Sequence, residues 1–143
     1  MAAQVQEASS ACSRIHFREA VAPSQVLSHA MGADVGVSLI EDSCLNYRYC
    51  LPNKLFESLL AGIPVLASDL PDQAELVHAH DGGWVAPNDS GAIADMLAGL
   101  SVEDARAKRE GLAERVADLS WDNEADKVLA VYRRLLSQEG GRT

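Results

Sequence analysis

Four short apolar runs, each set off from the next by an amphipathic stretch, constrain this chain more than any other feature. They are Ile15-His16-Phe17, Val35-Gly36-Val37-Ser38-Leu39-Ile40, Ile63-Pro64-Val65-Leu66-Ala67 and Gly83-Trp84-Val85-Ala86. The runs carry Val, Ile and Leu on both faces, as strands do when helices cover both sides of a parallel sheet. The intervening stretches read as helices over Ala3–Cys12, Ser24–Met31, Pro52–Ala61 (ended by Gly62), Asp72–His80 and Ser90–Leu100. Alternation at this spacing predicts a doubly wound α/β fold with a parallel sheet of about four strands. Beyond residue 100 the strand signal stops. Glu103–Leu119 predicts one charged amphipathic helix, and Trp121 precedes a last helix over Asn123–Ser137. In that last helix Val128, Val131, Tyr132 and Leu135 fall on one stripe. Residues 138–143 read as a frayed tail. The whole of 1–143 is thus expected to be a single α/β domain, with 101–137 as its C-terminal helices.

Charge narrows the partners. The formal net charge is −9, from 12 basic and 21 acidic residues. That opposes broad nucleic-acid binding, which relies on Lys and Arg neutralising phosphates, and opposes an anionic membrane surface as a main partner. No apolar run is long enough to span a bilayer, and Met1–Ser10 has neither a basic start nor an apolar core, so no integral membrane segment and a cytoplasmic setting are expected. The three cysteines, Cys12, Cys44 and Cys50, match no metal spacing and read as reduced thiols. The acidity is uneven: residues 69–95 hold six carboxylates and no base, and no Lys or Arg occurs between Lys54 and Arg106. An anionic ligand in the first two thirds must therefore find Arg14, Arg18, Arg48, Lys54 or backbone N–H groups.

Open α/β sheets bind ligands at the carboxyl ends of their strands. The loops placed there are Arg18–Ser24, Glu41–Leu51, Ser68–Pro71 and Pro87–Ser90. Asp34 and His78-Ala79-His80-Asp81 fall at the opposite edge, where the His-x-His spacing reads as a solvated helix end rather than a metal site. The segment from Leu51 to Ser68 is the most informative. Pro52 suits a first helical position, leaving the N–H groups of Asn53, Lys54 and Leu55 free at the positive end of the helix dipole. Such a start is a ready anion site, and Lys54 adds a full charge. Glu57 follows at helical spacing, so Asn53, Lys54 and Glu57 can share one face while Leu55, Phe56, Leu59 and Leu60 turn to the core. This set can hold a nucleoside diphosphate, with phosphate at the helix start and ribose hydroxyls on Glu57. The plainer reading is a helix-surface pair between Lys54 and Glu57 with Pro52 as a cap. The eleven-residue loop Glu41–Leu51 favours function, since long loops in compact domains are uncommon. Arg48 in that loop reads as solvated.

The run Pro52-Asn53-Lys54-x-x-Glu57 followed by Ala61-Gly62-x-Pro64-Val65 resembles the donor-binding signature of retaining family-4, or group 1, glycosyltransferases of the GT-B fold. Ile15-His16-Phe17 with its connecting loop, Ala33-Asp34-Val35-Gly36, Gly82-Gly83-Trp84-Val85-Ala86-Pro87-Asn88-Asp89 and Ser120-Trp121 extend the resemblance over about residues 14–137. It implies a Rossmann-like donor-binding half and transfer of a sugar from a nucleotide-diphosphate donor with retention of configuration, without a cofactor and generally without a metal. Residue by residue, it makes Glu57 the ribose-binding second glutamate of an E-x7-E motif. Pro52, Asn53, Lys54 and Leu55 become the segment near the distal phosphate, with Lys54 the candidate catalytic group that stabilises the departing diphosphate. Glu19–Ser24 becomes the loop near the nucleobase. Three positions depart from the pattern: Tyr49 stands where the first glutamate would contact the donor sugar, Glu19 where a glycine is frequent, and Pro52 removes one N–H from the phosphate turn.

The resemblance covers only the second of two GT-B halves, without its first strand. The acceptor-binding N-terminal domain is therefore an expected partner, in cis or in trans, and this chain alone is expected to be inactive. A degenerate module used for protein interaction or nucleotide sensing is the alternative. A receiver-like signalling domain fits worse, because Glu19 alone makes no acidic metal cluster.

Overall fold

The computed structural model describes residues 2–139, with side chains over residues 3–137. Three parallel strands form its centre: β1 Gly36–Ser38, β2 Val65–Ser68 and β3 Gly83–Ala86, in the order β1-β2-β3. Val65 lies opposite Gly36 on one side and Gly83 on the other. The helices are α1 Ala2–Ala11, α2 Val26–Ala30, α3 Leu45–Arg48, α4 Asn53–Leu60, α5 Pro71–Ala79, α6 Ser90–Gly99, α7 Val102–Arg109, α8 Leu112–Arg115 and α9 Trp121–Glu139. The tail expected at 138–143 begins inside α9; residues 140–143 lie outside the described residues.

The β1–α4–β2 and β2–α5–β3 crossovers follow from apolar residues at helical spacing. Leu55 and Leu59 of α4 and Val77 of α5 meet Val65 and Ala67 of β2 in one buried cluster, which Leu112 and Val116 close from beyond α7. All four residues of β2 are buried, as the two-faced apolar run Ile63–Ala67 predicts. Turn chemistry sets the other ends. Asp89 caps α6 by accepting the N–H groups of Gly91 (2.9 Å) and Ala92 (3.0 Å). Ser101 and Asp104 form a reciprocal capping box at the start of α7.

Three expectations change. Among the described residues the sheet has three strands, because Ile15-His16-Phe17 joins no ladder; the Ile15 N–H goes instead to the Cys12 carbonyl in a turn (3.0 Å). Apolar content alone does not make a strand without a hydrogen-bonding neighbour. The helix expected over Ser24–Met31 divides into a 3-10 turn at Pro23–Gln25 and the short α2. Glu103–Leu119 is not one helix either: Gly111 takes φ 68°, in the left-handed region, and separates α7 from α8, after which Ala117–Leu119 is a 3-10 turn.

Gly83 opens β3 where two backbones nearly touch. Its φ is 150°, and a Cβ there would fall 1.9 Å from the Val65 carbonyl oxygen. Gly83→Ala is therefore expected to destabilise the fold by more than about 3 kcal/mol. Gly99→Ala, where a Cβ meets nothing within 4 Å, is expected to be neutral or stabilising by under about 1 kcal/mol. Urea unfolding midpoints of the two variants check this contrast.

Candidate functional site

The buried face of α4 determines where its other flank points. With Leu55 and Leu59 fully buried against the sheet, Asn53, Phe56, Glu57 and Leu60 line a cleft of about 460 Å³. The opposite wall comes from Pro23, Val26 and Leu27, and one end from Leu119, Trp121 and Glu124. Phe56 and Leu60 therefore face this cleft rather than the core expected for them. Among the described residues the lining holds two carboxylates, Glu57 and Glu124, and no Lys or Arg; Glu124 is paired with Lys127, which leaves Glu57 as the uncompensated charge. Glu57 disfavours phosphate beside it and suits a neutral group that offers O–H or N–H donors. Glu57 is half-buried, and among the described residues its carboxylate has no hydrogen-bond or ion-pair partner. The Lys54–Glu57 pair of the plainer reading does not form among the described residues.

Pro52 is the residue before α4, not its first helical residue: φ −74° and ψ 146° make it extended. Its carbonyl accepts the Leu55 N–H at 2.9 Å. Of the three N–H groups expected to be free, those of Asn53 and Lys54 remain so among the described residues, and that of Leu55 is used. Lys54 leaves the Glu57 flank. Its ammonium reaches the Leu39 carbonyl at 3.4 Å, just past the end of β1. The structure thus divides the expected trio. Asn53 and Glu57 line the cleft, and Lys54 sits at the carboxyl edge of the sheet.

Buried polar side chains anchor that edge. The Ser68 hydroxyl accepts the Ile40 N–H (2.8 Å) and donates to the Ile40 carbonyl (3.0 Å). Gln73 of α5 is fully buried; its side-chain oxygen accepts the Ser38 hydroxyl at 3.2 Å, and its amide lies 4.0 Å from Cys50 Sγ. Both ends of the loop after β1 are thereby tied to β2 and α5. Sequence reasoning missed these residues. Ser38 lies within one apolar run and Ser68 directly after another, a signal that was available, whereas nothing distinguishes Gln73 from a solvated helix glutamine.

A family model described as glycosyl transferases group 1 matches residues 1–102. The chain belongs to the group 1 glycosyltransferases. It is also similar to a phosphatidyl-myo-inositol mannosyltransferase from Mycobacterium leprae (strain TN), 34% identical over 95 residues. That match covers 59% of this chain and spans about a quarter (25%) of the relative's length. No solved structure matches. The parallel α/β sheet is consistent with a Rossmann-like half of the GT-B fold.

Other residues of this glycosyltransferase chain settle the remaining expectations of place. The loop Glu41–Leu51 contains the single turn of α3, and Tyr49 closes α3 with its side chain half exposed. Arg48 is held by Asp42 at 2.8 Å, although both remain partly exposed. Glu19 is apart from the Glu57 cleft. With His16, Arg18, Val21, His29 and Gly32 it borders a separate open hollow of about 1010 Å³. The Glu19–Ser24 loop reaches the Glu57 cleft only through Pro23. Cys12, Cys44 and Cys50 are free thiols. No helix among the described residues is long and apolar enough to cross a membrane.

At the opposite edge His80 is not solvated as expected. Its Nδ1 lies 2.7 Å from the Arg115 carbonyl, and Arg115 Nε donates to the His80 carbonyl at 2.9 Å. Arg115 also donates to the Lys108 and Glu110 carbonyls, each at 2.7 Å. This guanidinium fastens α7 and α8 to the end of α5. Lys108 pairs with Asp81, and that hydrogen bond holds the Asp81 carboxyl below its usual range. A lowered folded value means stability present above the ordinary carboxylate range and lost as pH falls through the folded value. Asp81 is well exposed, so its share is under about 1 kcal/mol. Asp81→Asn is expected to lower the unfolding free energy slightly at neutral pH and to flatten its fall at acid pH. Denaturant unfolding at neutral pH and near pH 3 measures both effects.

Proposed function

We propose that this chain binds the nucleoside diphosphate of a sugar donor and contributes that half of the site to a retaining glycosyl transfer. One observation carries the reading: Glu57 faces a cleft one helical turn behind the N–H groups of Asn53 and Lys54, which are free among the described residues, with the Lys54 ammonium beside the same helix start. The nucleoside enters the electronegative cleft, where its ribose hydroxyls donate to the Glu57 carboxylate. The diphosphate stays outside, at the amides of Asn53 and Lys54 and the Lys54 ammonium. These donors act on the charge that grows as the glycosidic bond to the diphosphate breaks, and electrostatic stabilisation of this kind is a large part of such catalysis. The name of the Mycobacterium leprae relative describes a sugar transfer, and the same reaction class is proposed here.

The acceptor half of the site is supplied by a further domain, in cis or in trans. Orientation of two substrates supplies much of the rate, so this chain alone is expected to bind donor without turning it over. The exposed Tyr49, at the position where the resemblance expects a sugar-contacting glutamate, favours a second reading. In it the chain senses a nucleotide and transfers nothing. Transfer activity after the acceptor domain is supplied separates the two.

Calorimetric titration with uridine, guanosine and adenosine diphosphates tests the binding claim. One of them is expected to bind, and Glu57→Gln to weaken it about 10- to 100-fold, the range for a charge-assisted hydrogen bond. Glu75→Gln, on the exposed side of α5, is expected to change nothing. Binding by none of the three, or binding indifferent to Glu57→Gln, overturns the proposal. Lys54→Ala is expected to weaken the diphosphate about tenfold and the matching nucleoside not at all, since an ammonium near phosphate acts on charge. Calorimetry with both ligands checks that split.

A further inference from the structure

The wall of the Glu57 cleft opposite α4 rests on an element with little of its own to hold it in place. Pro23, Val26 and Leu27 form that wall, and α2, which carries the last two, buries no residue. At five residues it is too short to persist as a helix without support. Its packing is mostly against α4, across the cleft, and against the Pro23–Gln25 turn ahead of it.

A side chain distant in sequence supplies a further hold. α2 ends in tight turns, in which the N–H groups of Met31, Gly32 and Ala33 take up the Leu27, His29 and Ala30 carbonyls. The Met31 and Ala33 carbonyls accept Arg109 of α7, from Nη2 at 3.0 Å and from Nη1 at 3.2 Å. A planar guanidinium on two carbonyls fixes the segment in direction as well as in place. Among the described residues these are the side-chain hydrogen bonds that tie residues 26–33 to the domain beyond the adjoining turn. Arg109 itself stands on a firm base. α7 buries Ala105, the Lys108 carbonyl accepts Arg115 at 2.7 Å, and the Lys108 ammonium pairs with Asp81. Arg109 does not line the cleft, so any effect on a ligand there passes through α2.

We infer that Arg109 is a positioning residue for the nucleoside: through two carbonyls it holds α2 at the distance from α4 that the cleft requires. The inference rests on the donor-binding reading and divides its ligand in two. The wall that Arg109 holds meets the nucleoside. The diphosphate lies at the start of α4, which is fixed by its own packing on β2.

Calorimetry of the full chain with the nucleoside diphosphate that binds, its nucleoside and inorganic pyrophosphate tests this. Arg109→Ala is expected to weaken the nucleoside diphosphate and the nucleoside alike, about tenfold, as when the wall is in place a tenth of the time. Pyrophosphate binding is expected to stay unchanged, the reverse of the split expected for Lys54→Ala. Arg109→Lys, able to meet one carbonyl, is expected to recover part of the loss. Arg106→Ala, which removes an equal charge from the same helix, is expected to change none of the three. Without ligand, Arg109→Ala is expected to speed amide hydrogen exchange at Met31 and Ala33 and to leave α4 and β2 as they were. Nucleoside binding that is sensitive to Glu57→Gln but indifferent to Arg109→Ala overturns this inference and leaves the donor-binding reading standing. No binding by the unsubstituted chain overturns both. Unchanged exchange at Met31 and Ala33 overturns the inference, as does an equal loss for pyrophosphate with a lowered unfolding midpoint, because Arg109 then supports the fold at large.

Discussion

The two-sided pairing and burial of β2 is the constraint on which the rest depends. Among the described residues β1 and β3 have no strand neighbour other than β2, and β2 is buried along its whole length. Its Val65 and Ala67 supply the surface on which α4 and α5 pack. The orientation of α4 follows from that packing, because Leu55 and Leu59 can be buried in only one rotation of the helix. Glu57, two residues after Leu55 and two before Leu59, is then left on the flank that borders the cleft. The last residue of β2, Ser68, ties down Ile40 and with it the start of the loop beyond β1. One strand thus positions both the helix that presents the candidate donor-binding residues and the start of the loop after β1.

Electrostatics divides the candidate site as the fold does. An acidic chain with no base between Lys54 and Arg106 has little positive charge to offer a diphosphate. The structure sets Lys54 and two backbone donors, unpaired among the described residues, at the start of α4, while Glu57, Glu124 and apolar side chains line the cleft behind them. A ligand that is anionic at one end and rich in hydroxyl donors at the other matches this polarity. In the proposed reading, the phosphates and the nucleoside are sorted by charge before any specific contact is made.

Much of this was legible in the residues, and what was not has identifiable physical causes. β2, β3 and α4 were readable because their apolar residues recur at the period of the element and are bounded by Gly and Pro. Ile15–Phe17 misled because a strand is defined by its neighbour, which a local pattern does not report. The break at Gly111 was marked by the glycine, but the amphipathic period runs through it and suggested continuity. Asn53 and Glu57 line the same cleft, as their four-residue spacing allows. The same helical argument failed for Lys54, whose long side chain crosses to the end of β1. Gln73 was invisible because its burial arises from contacts with Ser38 and Cys50, both distant in sequence.

The central claim is that the start of α4 and the Glu57 cleft form one ligand site. Amide chemical-shift mapping of the isotopically labelled chain during titration with a nucleoside diphosphate tests it most directly. The account predicts that the amides of Asn53, Lys54 and Glu57 shift together along one binding curve, with the Trp121 indole N–H moving as the cleft fills. Shifts confined to His16, Glu19 and His29 around the other hollow, or no saturable shift at the start of α4, would contradict it.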